Sequence, residues 1–273
     1  MPRIELTKLH DVEPLGEDIW RWLSFDASGT LLLSWVDPLG TLFARDFGVL
    51  PAAQAFEGLR FRYPKVQRFA DGRWLVVDSR CQDGQTNGRL FAHNAKLIAD
   101  ICLEDAIRDI VVDGQNQIWV GYFDENPTGL RAFNAQGHVF YDFNASTDLD
   151  IYELYAMHLE QSGGLWVYAF EDFFLARVAR GRVEVVLDSC PVEGARAILA
   201  DGRYCAFLGN YDDDRVFVLD LRSKDGCFVE LSVDGSLVQR PLLATRGHRA
   251  AFLHRYAIYE LTLDDLVAAA GML

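Results

Sequence analysis

A turn-and-strand unit recurs along the whole chain and constrains it more than any other feature. The unit is clearest as VDGQNQIWVGYF from Val112: a carboxylate, turn formers, then β-branched and aromatic residues. Related stretches are DASGTLLLSW from Asp26, ADGRWLVVDS from Ala70, EQSGGLWVYAF from Glu160, ADGRYCAFLGN from Ala200 and a degraded RGHRAAFLHR from Arg246. With Asp26, Asp71, Asp113, Gln161, Asp201 and Arg246 taken as equivalent, the intervals are 45, 42, 48, 40 and 45 residues. That is the period of blades in a toroidal β-repeat fold.

Each unit resolves into four short apolar segments. In the third, IRDIVVD (107–113), QIWVGYF (117–123), GLRAFNA (129–135) and HVFYDFN (138–144) are separated by Gly, Asn, Asp and Pro, which break strands. The expected fold is therefore all-β: one six-bladed β-propeller domain of four-stranded antiparallel blades spanning 1–273. The repeats run approximately 19–62, 64–103, 107–144, 153–188, 194–233 and 241–263. The last is one strand short, and RIELTKL (3–9) is an orphan strand, so the N-terminal strand is expected to complete the last blade and close the ring. Residues 264–273 form a short C-terminal tail or helix. Gly after Asp71, Asp113 and Asp201 is expected to supply positive φ, and Trp74, Trp119 and Trp166 to pack between blades.

The apolar strand, Asp-Gly, Trp-Val-Gly and Gly-Leu pattern, sharpest over Ile107–Gly137, resembles the repeats of bacterial two-component-regulator-type propellers and of the NHL and SMP-30 (gluconolactonase-like) propellers. The gluconolactonase-like resemblance implies a divalent metal held by a Glu, two Asn and an Asp at the channel mouth. Glu17 or Asp18 matches the first ligand by position, but no Asn stands at the entrances of the middle strands. Lys65, Arg68, Arg108, Arg196 and Arg240 stand there or nearby, and cations oppose a hard metal ion. The alternative reading is thus a metal-dependent hydrolase acting at the central channel, with Glu17 or Asp18, Asp109 and Glu153 on the metal. A third reading is a sensory propeller in which Arg108 and Arg196 clamp an anion.

Other chemistry leaves little trace. No nucleophile elbow, zincin helix, phosphate loop or dinucleotide fingerprint occurs, and His10, His93, His138, His158, His248 and His254 are scattered. The five cysteines lack paired spacing and read as free thiols. NYDDDR (210–215) reads as a solvated hairpin loop rather than a calcium loop. The N-terminus has no apolar leader core and no stretch is long enough to span a bilayer, so a cytoplasmic location is expected.

Charge distribution carries the functional hint. The net charge is −14, and residues 100–153 alone hold 11 Asp and Glu against 2 Lys and Arg. Such a sector repels nucleic acid and anionic membrane and attracts a basic protein. Two long loops on it, FDENPTG (123–129) and NASTDLDIYE (144–153), set aromatic rings among carboxylates, as interfaces do. The expected function is a non-catalytic binding propeller without cofactor, contacting a basic partner protein through Asp124, Glu125, Asp148, Asp150, Tyr152 and Glu153. An immunity or antitoxin-type protein that neutralises a bacterial toxin is one form of it.

Overall fold

A computed structural model describes residues 1–13, 16, 19–48, 52–82, 84–170 and 172–273. The chain is an all-β, six-bladed β-propeller. Its contacts divide it into two compact units, Gly16–Leu154 with the first three blades and Met1–Leu15 joined with Tyr155–Leu273. Each blade is a meander whose first strand is innermost. The inner strands of the first unit are Arg21–Phe25, Pro64–Arg68 and Ile107–Val112.

The turn after each inner strand shows what the repeat is made of. Asp26 Oδ1 accepts the amides of Ser28 and Thr30, and Asp113 Oδ1 accepts those of Gln115 and Gln117. A side-chain acceptor thus satisfies the donors that a tight loop exposes. The fourth loop residue takes the positive φ: Gly29 at 82°, Asn116 at 62° and Gly163 at 90°. Gly114 and Gly202, expected to do so, do not. In the second blade the first loop position is Phe69, whose amide donates to Arg73 O, so the true register there lies two residues before Asp71. In the fourth it is Glu160 rather than Gln161.

The same register explains the tryptophans. Trp119 and Trp166 each stand six residues after the turn carboxylate, and their indole N–H groups donate to Asp113 Oδ2 at 3.2 Å and Glu160 Oε2 at 2.9 Å. Trp166 is buried against the neighbouring blade, but Trp119 is only half-buried. Trp74 belongs to a different position, on the opposite face of its strand, and fills a core with Phe56, Phe91 and Val66.

The orphan N-terminal strand divides in two. Arg3–Glu5 runs parallel to Gly226–Val233 at the edge of the fifth blade, whereas Thr7–Asp11 completes the sixth as its outer strand, antiparallel to Ala257–Thr262. The pivot is Leu6, whose amide donates to Ser232 O and whose side chain is buried with Leu231, Val238 and Leu261. A single straight strand would leave that side chain in water. The helix Leu263–Ala269 follows, opened by a capping box between Thr262 and Asp265 and anchored by Leu263, Leu266 and Val267.

Candidate functional site

The two acidic loops of the third blade form one surface. Asn144 Nδ2 donates to Pro127 O at 3.1 Å and to Ile151 O at 3.2 Å, while its Oδ1 accepts the Ile151 amide at 2.9 Å. One amide side chain therefore joins 123–129 to 144–153. Gly129 makes the approach possible: at φ 68° it faces Ile151, and a Cβ there would lie 2.3 Å from the Ile151 carbonyl oxygen. Gly129→Ala is expected to cost about 2–3 kcal/mol through positive φ and this backbone clash, read as a lowered urea midpoint. A change below about 0.5 kcal/mol would show that the loops part freely.

The surface is smaller than the charge count implies. Glu125 pairs with Arg80 at 3.1 Å, and that hydrogen bond holds its carboxyl below the usual range. Glu153 pairs with Arg108 at 3.3 Å, and Arg131 is held between Glu104 and Asp142. Arg80 and Arg108 both stack on Phe123, at 5.0 and 4.8 Å from its ring centre. Asp124, Asp148 and Asp150 are exposed and carry no ion pair among the described residues, and Tyr152 stands 51% exposed beside them. These four form the open part of the predicted contact surface.

The predicted channel residues fare differently. Glu17 and Asp18 lie outside the described residues. Arg196 has its guanidinium on Asp214 Oδ1 at 2.9 Å and on the carbonyls of Gly209 and Pro241, so each of its three nitrogens already donates within the protein and its charge is paired. Arg108 and Arg196 also fall in different units. In the acidic run 210–215, Asp213 pairs with Arg215 and Asp214 with Arg196, which makes it an ion-paired hairpin loop.

Of the residues that the gluconolactonase-like resemblance would place on a metal, Glu17 and Asp18 lie outside the described residues, and Asp109 and Glu153 stand beside cationic side chains. No three His, Cys, Asp or Glu side chains among the described residues gather closely enough to hold a metal ion. Asp109, the central candidate, acts on Lys65 beside Arg108, so two cationic side chains stand where a metal needs oxygen ligands.

Sequence reasoning named Lys65 only as an entrance charge and missed its surroundings. Lys65 is 5% exposed on its inner strand, and its Nζ lies 3.3 Å from the ring centre of Trp22 on the first blade. Burial pulls its amine down to about 7, with Asp109 opposing and Arg108 adding to the fall. Two residues on, buried Gln67 donates from Nε2 to Ile110 O at 3.2 Å, while its Oε1 and Trp22 Nε1 have no partner among the described residues. The polar letters of PKVQR, in a strand buried throughout, were the available signal.

No protein-family model matches the chain, and no curated protein sequence matches it. Solved structures share the fold. A catalytically inactive virginiamycin B lyase from Staphylococcus aureus, crystallised with quinupristin, is 12% identical with a TM-score of 0.57, over 94% of this chain and 99% of that one. Regucalcin from Agrobacterium tumefaciens, a calcium-binding protein, is 14% identical with a TM-score of 0.57, over 96% and 95%. A chain of a nidogen/laminin complex is 13% identical with a TM-score of 0.51, over 76% and 78%. These likenesses establish the propeller and leave activity to the site. No helix among the described residues is long and apolar enough to cross a membrane.

Proposed function

We propose that this propeller binds a basic protein through the loop surface of its third blade. The observation that carries the reading is the trio Asp124, Asp148 and Asp150, exposed and without ion pairs among the described residues, on loops that Asn144 joins and that also carry the exposed Tyr152. Fixed loops lower the ordering cost of association, unpaired carboxylates steer a cationic surface, and a rigid aromatic ring gives the contact an anchor. The fold accommodates such a role, since a nidogen/laminin complex contains a chain of the same architecture. A bacterial toxin with a basic surface, neutralised as an immunity protein does, is one partner of this chemistry.

The test is affinity capture from the source cell's lysate at low and high salt, followed by binding measurements on the recovered protein. A stoichiometric basic partner, held at low salt and released at high salt, is expected. Reversing Asp124, Asp148 and Asp150 to Lys together is expected to weaken it roughly ten- to hundredfold, about 1 kcal/mol or less for each exposed charge. The unfolding midpoint should stay put, because none of the three holds the fold. A partner that binds the triple variant undiminished removes this surface from consideration.

A further inference from the structure

We propose that Lys65, with Trp22 and Gln67, forms a site that captures a small hydroxylated aldehyde as an imine on the lysine amine. Buried lysines are ordinarily paired, yet Lys65 makes no hydrogen bond or ion pair among the described residues and rests only on the face of Trp22. Two further polar atoms on these strands are enclosed and unpartnered among the described residues: the Trp22 Nε1 donor and the Gln67 Oε1 acceptor. Native proteins rarely leave such groups unsatisfied, and those they do leave call for a ligand or function.

The orphan atoms specify the ligand's class. A donor on the ring against which the amine rests and an acceptor two residues along the same strand match a small neutral molecule that carries both a carbonyl and a hydroxyl. A desolvated lysine is the side chain that proteins use to attack such a carbonyl. With its amine at about 7, roughly half of Lys65 is unprotonated at pH 7, against roughly one in 2,500 for an ordinary lysine. The nitrogen lone pair adds to the carbonyl carbon and the C=O pair moves to oxygen, giving a carbinolamine after proton transfer. Loss of that hydroxyl with the remaining N–H proton releases water and leaves C=N, with no change of oxidation state. The protonated imine keeps the attraction of Asp109 that the ammonium feels.

The chain has four lysines, Lys8, Lys65, Lys96 and Lys224, so the experiment reads out by position. The full chain is treated at pH 7 with a limiting amount of glycolaldehyde and cyanoborohydride, which reduces any imine to a stable secondary amine, and the adducts are mapped by mass spectrometry. Lys65 is expected to be modified at least about tenfold faster than exposed Lys96 and Lys224, a preference that urea abolishes. Gln67→Leu is expected to reduce the preference for glycolaldehyde over acetaldehyde while Lys65 still reacts. Labelling of Lys65 no faster than of Lys96 and Lys224 overturns the proposal, and so does an equal preference in the unfolded chain.

Discussion

Arg68→Met is expected to destabilise the fold by about 3–5 kcal/mol, the range for removing one member of a buried ion cluster. Arg68 ends the second inner strand and reaches two carboxylates. Its Nε donates to Asp26 Oδ2 at 2.7 Å, its Nη2 lies 2.6 Å from the same oxygen, and its Nη1 donates to Asp46. Asp26 and Asp46 are 1% and 2% exposed. Met retains the length of the stem over Trp74 but leaves two enclosed negative charges without their counter-ion. Adding Asp46→Asn to Arg68→Met should recover part of the loss, since it removes one stranded charge while keeping an acceptor for the Gly48 amide. Urea unfolding of the three proteins decides it. A loss under about 1 kcal/mol in the single variant would mean that water reaches these carboxylates.

The architecture was legible because it is written in local chemistry. A carboxylate that caps its own loop, a positive-φ residue three places later and a strand of β-branched residues act within a single hairpin, and the hairpin recurs. The reading slipped where two local solutions look alike. Asp71-Gly72 resembles Asp113-Gly114, but Phe69 opens that loop and Gly72 takes the φ of 85°, which moves Trp74 to another face. The orphan N-terminal strand was found, while its division at Leu6 was not, because the second partner, Gly226–Val233, is set by burial of one leucine far away in sequence. The candidate surface was located from charge, yet Glu125 and Glu153 are neutralised by Arg80 and Arg108, about 45 residues upstream on the preceding blade. Trp22 and Lys65 meet, and Gln67 reaches Ile110, through the same kind of inter-blade alignment. One period fixes that a neighbour exists; which side chain meets which depends on the relative height of two inner strands, and that is a tertiary quantity.

That height is what makes Lys65 costly. Its amine falls from an ordinary 10.5 to about 7 on folding, chiefly through desolvation. Between these two values the unfolded chain binds more protons than the folded one, so stability rises with pH across the window; below about 7 the penalty is present in full. A fall of that size corresponds to roughly 5 kcal/mol, a net figure that already includes what the Trp22 face returns to the ammonium, and an apolar stem recovers only part of it. Lys65→Met keeps the apolar stem and removes the amine, and is expected to stabilise the protein by roughly 3 kcal/mol at pH 7. The gap between variant and wild type should narrow steadily as pH rises and be largely gone by about pH 10. Chemical denaturation of both proteins across that range measures the difference directly, with all other titrations common to the two. A gap that stays constant with pH would place the gain in packing, and a variant less stable than wild type at pH 7 would mean that the ammonium has a stabilising partner. The expected result is the reverse: a residue that weakens its own fold, its amine set against an indole ring, on an inner strand where an apolar side chain would serve stability better.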